Sequence, residues 1–175
     1  MDTINPIPND KPASDFTLPD LTGTPHSLTD LRKRIVIINF WSAECPWSQR
    51  CDLELLSLME EWGEQVDLLT IASNANEPPE MLAKVSAERG LPTLLHDTDQ
   101  TIADRYGAQT TPHLFVLDKE GILRYQGAFD DITFRQRVAT ELYLQDAVEA
   151  LLAGYHPEPA QTPPYGCVLV RFTPE

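Results

Sequence analysis

Cysteine is scarce in this chain, basic residues are outnumbered, and long apolar runs are missing. Each shortage removes a class of protein. Three cysteines in 175 residues are an odd number in a mid-sized chain, which suits redox chemistry better than a structural disulfide framework. Thirteen Lys and Arg against 27 Asp and Glu leave a formal charge of −14. Phosphate binding needs clustered Lys and Arg, so neither nucleic acid nor an anionic membrane is expected as a partner. The plainest meaning of the acidity is solubility. No apolar run approaches ~18 residues, and residues 1–10 lack a basic stretch followed by an apolar one, so the expected location is cytoplasmic. No cysteine and histidine pair has ligand spacing, and neither a metal nor a cofactor is expected. There is no internal repeat and no composition shift that would mark a boundary. Residues 1–175 therefore read as a single domain with one core.

What is present begins at residues 35–40, Ile-Val-Ile-Ile-Asn-Phe, an almost unbroken β-branched run that fits a strand buried on both faces of a parallel sheet. After a short turn, Cys45 precedes Pro46. Proline is favoured at the first helical position, where its missing N–H would have no intrahelical partner, so Cys45 falls at or near the N-cap. Unpaired amides and the positive end of the helix dipole favour a thiolate there, which makes Cys45 the candidate nucleophile. Glu44 works the other way, because an adjacent carboxylate raises a thiol pKa.

Cys51, Leu55, Leu58, Met59 and Trp62 then fall at helical spacing, with Gly63 closing the helix. Cys51 lies on the apolar stripe and reads either as a resolving thiol for Cys45 or as a small core residue. Six residues of helix separate the two Cα atoms by roughly 10 Å, beyond the ~7 Å that a disulfide tolerates. Direct pairing would need the first turn to unwind.

Elsewhere, residues 1–13 read as a poorly ordered, proline-bearing lead-in. Residues 15–28 read as two short strands around a turn, with His26 on their surface, and residues 27–31 as a capped turn. Strands are expected at 65–72 and 93–96, and helices from Glu77 to about Arg89 and over 97–106. His96 reads as surface or packed. A hairpin spans Leu114–Leu117 and Ile122–Tyr125, and a last helix carries Leu144, Ala147, Val148 and Leu151 up to Gly154. Residues 156–175 form a proline-rich tail with a short strand around Cys167.

Asn39-Phe40-Trp41 followed by Cys45-Pro46, together with Thr111-Pro112 ahead of the apolar run Leu114–Leu117, resembles thioredoxin-like proteins. The likeness is closest to the redoxin group, which spans membrane-linked thiol-disulfide reductases and AhpC/TSA peroxiredoxins. It implies an α/β fold with a mixed central sheet flanked by helices, an N-terminal β-hairpin extension and a C-terminal tail strand. Where that group has Cys-x-x-Cys, this chain has Cys45-Pro46-Trp47-Ser48. Ser48 cannot resolve a mixed disulfide and is expected only to hydrogen-bond the thiolate. Thr111-Pro112 matches the cis-proline loop, whose backbone would clamp an extended substrate against Cys45.

The resemblance supports three readings. In the first, Cys45 exchanges with a disulfide by a monothiol route, and an external thiol or Cys167 releases it; the partners are a disulfide-containing protein or a small thiol. The second is a peroxidase. Ser42 fills the Thr or Ser place three residues before the peroxidatic cysteine, Ile38 stands where a proline is usual, and Arg50 or Arg124 would polarise the peroxide. In the third, the fold binds extended peptides over the cis-proline groove without catalysis, with Trp47 as an exposed anchor.

Overall fold

In the computed structural model, which describes residues 7–173, the β-branched run is strand β3 (Ile35–Trp41), buried along its whole length. It is the middle strand of a five-stranded sheet. Parallel to it runs β4 (Val66–Ala72), followed outward by β5 (Leu94–His96); on its other side lies β7 (His113–Leu117), antiparallel to it, and then β8 (Leu123–Gly127), antiparallel to β7. Successive side chains of a strand point to opposite faces, and β3 divides its residues accordingly. Ile35 and Ile37 pack with Leu55, Leu58 and Trp62 of helix α1 (Pro46–Trp62) and with Leu144 and Val148 of helix α4 (Tyr143–Leu152). Val36, Ile38 and Phe40 pack on the opposite face with Ile102, Ala103 and Tyr106 of helix α3 (Thr101–Tyr106). A one-residue slip of β3 would exchange the two sets, so both cores fix its register. Helix α2 (Pro79–Glu88) covers the Trp41 end of the sheet through Leu82.

The expected hairpin is present as β1 (Thr17–Pro19) and β2 (Pro25–Ser27), and it buries Phe16 and Leu18 in the α3-side core. His26 is bound to Asp20 at 2.8 Å. The turn at 27–31 differs from expectation: it is a 3-10 helix over Leu28–Leu31, and the Ser27 hydroxyl hydrogen-bonds Thr17 rather than capping it. Helix α3 starts later than the sequence suggests, because the Asp97 carboxylate accepts from the amides of Ile102 and Ala103 and holds residues 97–100 as a loop.

The lead-in also differs. Residues 1–6 lie outside the described residues. Residues 7–13 are not loose: the amides of Asp10 and Ala13 donate to the carbonyls of Leu123 and Gly121, and Ile7 packs on the core. Among the described residues, no helix is long and apolar enough to cross a membrane.

The tail is the least conventional part of the chain. It runs along β8, where the Thr162 amide donates to the Gln126 carbonyl and the Tyr125 and Thr162 hydroxyls share a 2.7 Å hydrogen bond. It then forms β9 (Cys167–Val168), antiparallel to the short strand β6 (Thr110–Thr111) that precedes Pro112. Beyond β9, Leu169 is buried in the α3-side core.

Candidate active site

Cys45 is the N-cap of α1, with Pro46 at the first helical position. It follows the carboxyl end of the central strand, where ligand sites of open α/β sheets gather. Residues 42–44, between strand and helix, are held by two side chains from the α2 region. The buried Glu77 carboxylate accepts from the Ala43 amide at 2.9 Å, from the Ser42 hydroxyl in a short hydrogen bond, and from the Asn74 side-chain amide at 3.1 Å. Arg89 donates to the Ala43 carbonyl at 2.6 Å and pairs with Asp52 of α1 at 3.2 Å. Asp52 also accepts from the Trp41 indole at 2.9 Å. Burial raises the Asp52 pKa, and its bonds from Trp41 and Arg89 act against that rise. Sequence reasoning missed both Glu77 and Arg89. Apart from Asn74, three residues before Glu77, the partners named above lie 34 to 46 residues away in the chain, and no local spacing signals such a contact.

The Thr111–Pro112 peptide is cis, and it faces the nucleophile directly: the Cys45 thiol donates to the Thr111 carbonyl at 2.9 Å. Burial works against a Cys45 thiolate. The Cys167 thiol, the Thr111 hydroxyl and the amides of Ser48 and Cys167 are placed to donate to the ionised sulfur; together they outweigh burial, and the pKa falls below that of an ordinary thiol. The Thr111 hydroxyl has no partner while Cys45 is a thiol. Once the sulfur ionises it stops donating to the carbonyl, and this hydroxyl is free to donate to it.

Cys167 is the ladder partner of Thr111, which puts its thiol against Cys45. Burial first, and then the neighbouring Cys45 sulfur, pushes the Cys167 thiol up to about 12, so Cys45 is the member of the pair that ionises. Cys51 is elsewhere. It is 1% exposed in the core beneath α1, and burial raises it to about 12, with Arg50 pulling only partly the other way.

Two expectations about α1 need correction. The Ser48 hydroxyl is buried and accepts from the Ser42 amide at 3.4 Å; what Ser48 offers the Cys45 sulfur is its backbone N–H. Trp47 is not a free anchor, because Tyr165 of the tail meets its ring edge-on at 4.9 Å. The arginines considered for a peroxide site are committed to carboxylates. Arg50 grips Asp130 with two hydrogen bonds of 2.7 and 3.0 Å, and Arg124 binds Asp118 and Asp10. Ser42 is turned to Glu77. His113 is buried, stacks on Phe115, and accepts from the Gln109 amide at 3.1 Å. His96 is half-buried, which lowers its pKa.

A helix-start cysteine facing a cis-proline across a mixed sheet defines the thioredoxin-like class of proteins. The AhpC/TSA family model matches residues 10–126, and the chain belongs to that family. It is 33% identical over 113 residues to the thiol-disulfide oxidoreductase ResA of Geobacillus thermodenitrificans, covering 62% of this chain and 63% of that protein. It is 32% identical over 121 residues to the thiol:disulfide interchange protein DsbE of Allochromatium vinosum, covering 67% of this chain and 65% of that one. The chain thus spans just under two thirds of the length of these curated relatives. Among solved structures, the hypothetical protein SMc02350 of Sinorhizobium meliloti superposes with a TM-score of 0.88 at 28% identity, covering 97% of this chain and 98% of that one. That overlap takes in most of the tail, which the family model leaves out.

Proposed function

We infer that this protein is a thiol-disulfide oxidoreductase whose nucleophile is Cys45. The observation that carries the reading is the hydrogen bond from the Cys45 thiol to the carbonyl before the cis-proline, because it places the sulfur beside the backbone edge that an extended disulfide substrate would use. The lowered pKa supports the same role, since the thiolate is the attacking species. The relatives ResA and DsbE are named for thiol-disulfide chemistry. A disulfide-bonded polypeptide or a small disulfide is the substrate, and an external thiol closes the cycle. A peroxidase finds less support. The groups acting most strongly on the Cys45 sulfur include no arginine, and Arg50 and Arg124 are engaged with carboxylates.

The test is to treat the reduced protein separately with a disulfide-bonded peptide and with hydrogen peroxide, and to map the modified sulfur by mass spectrometry. Disulfide exchange predicts reaction with the peptide at Cys45 and peroxide consumption no faster than that of a simple thiol. Rapid peroxide consumption with oxidation of Cys45, and no reaction with the peptide, would replace this reading with the peroxidase.

A further inference from the structure

The tail strand occupies the backbone edge that a substrate would need. Thr111 pairs with Cys167 and Thr110 with Val168 in an antiparallel ladder, and the Leu169 amide donates to the Gln109 carbonyl at 3.0 Å. Main-chain pairing of this kind is how extended peptides add to a sheet edge. The docking is built at both ends. Upstream, Gly127 sits where any side chain would collide with Thr162, since a Cβ there would lie 2.2 Å from the Thr162 hydroxyl oxygen. At the groove, a Cβ on Gly166 would lie 2.1 Å from the Thr111 carbonyl oxygen. Downstream, the Val170 carbonyl accepts from the Ala75 amide at 2.9 Å and from the Gln100 side chain at 2.7 Å, and the Val170 amide donates to Asn74. The segment between these anchors carries one reactive group, the Cys167 thiol, on the residue paired with Thr111, whose carbonyl accepts from the Cys45 thiol.

We propose that β9 is a built-in redox arm: it takes the strand position of a substrate on the protein's own cis-proline loop, and Cys167 forms a disulfide with Cys45 in place of the thiol that Ser48 does not supply. The proposal rests on Cys45 being the exchange nucleophile. In the first step the Cys45 thiolate attacks one sulfur of the substrate disulfide. That S–S bond breaks, the leaving thiolate takes a proton, and Cys45 carries the other half as a mixed disulfide. In the second step Cys167 loses its proton and attacks the Cys45 sulfur. The Cys45–Cys167 bond forms and the second substrate thiolate leaves and is protonated. The substrate disulfide has gained two electrons and two protons, and the two cysteines have lost them. A dithiol reductant reverses the oxidation by the same exchange and becomes a disulfide itself.

Arm and extended substrate compete for the edge of Thr110 and Thr111. An extended polypeptide therefore enters as β9 leaves, and the return of β9 both brings in the resolving thiol and removes the substrate's backbone pairing. Resolution and release become one event.

The proposal is tested on the full chain with oxidised glutathione as the probe, incubated to equilibrium and followed by non-reducing peptide mapping. Wild type should give a peptide linking Cys45 to Cys167. Its glutathione load on Cys45 should be lower than that of Cys167→Ser by about tenfold or more, because an intramolecular thiol at millimolar effective concentration outcompetes the bound half. Cys167→Ser should hold glutathione on Cys45, and adding Ser48→Cys to it should restore an internal disulfide and clear the glutathione. Equal loads on Cys45 in wild type and Cys167→Ser would overturn the arm and leave Cys45 as nucleophile. If Cys45 were unmodified in both proteins, the nucleophile itself would be refuted and the arm with it.

Discussion

Cys167 and Thr111 are ladder partners in an antiparallel pair, and Thr111 is also the residue whose carbonyl accepts the Cys45 thiol proton. One residue thus reads the nucleophile with its carbonyl and the tail with its position in the sheet. The active site and the last strand of the fold are one structure.

The closeness of that structure is testable at Gly166. A methyl group there would meet Thr111 carbonyl oxygen and carbon at 2.1 and 2.7 Å, both backbone atoms. Overlap of this kind costs ~1–3 kcal/mol, and each 1.4 kcal/mol is about a tenfold change in an equilibrium. Gly166→Ala should therefore undock the tail more often and raise the alkylation rate of Cys45, which is 2% exposed in the docked state. An unchanged rate would show that the tail does not control access.

The ultraviolet absorbance of the Cys45 thiolate tests its surroundings without needing access. Hydrogen bonds from Cys167 and Thr111 lower the pKa against the effect of burial. Cys167→Ala and Thr111→Val should each move the Cys45 titration to higher pH, whereas Cys167→Ser, which keeps a donor hydroxyl, should move it less. Identical titrations in wild type and Thr111→Val would mean that the Thr111 hydroxyl does not donate to the thiolate.

Glu77 and Arg89 should behave as positioning residues. Glu77→Ala leaves the Ala43 amide and the Ser42 hydroxyl without their acceptor, a loss of ~2–4 kcal/mol in denaturant unfolding. Glu77→Gln keeps one acceptor oxygen and should lose less. Arg89→Met strands the buried Asp52 carboxylate, which costs ~3 kcal/mol. Both truncations should also slow exchange at Cys45 while leaving the pH dependence of the thiol-disulfide step in place.

His113 gives a pH signature in stability. Burial pushes its pKa from 6.5 down to about 4. Between those values the unfolded chain holds a proton that the folded chain does not, so stability falls as pH falls through that window and the loss is complete below it. The difference is ~3 kcal/mol at most. His113→Gln should flatten the dependence of unfolding free energy between pH 4 and 6.5 relative to wild type; parallel curves would place the titration on other groups.

Much of the fold was legible because its signals are local. The run at 35–40 marked the central strand, Cys45-Pro46 marked the helix start, and Thr111-Pro112 marked the loop opposite. What stayed hidden depends on contacts between distant segments. Cys167 and Cys45 are both visible as cysteines, but only the path of the tail along Tyr125 and Gln126 of β8 brings them together. The sequence places the Ser48 hydroxyl toward the thiolate, yet its oxygen lies at the Ser42 amide, from which it accepts, a contact set by the path of the loop between strand and helix. Residues 7–13 read as loose because their own apolar content is small; pairing with the β7–β8 turn and the start of β8 fixes them instead.

Steady-state reduction of a disulfide-bonded peptide, with dithiothreitol as the electron source, tests the role of Cys45 most directly. Wild type should accelerate the reaction above the uncatalysed rate, and Cys45→Ser should return it to that rate while Cys51→Ser remains active. Catalysis that survives in Cys45→Ser would contradict the assignment of Cys45 as the nucleophile.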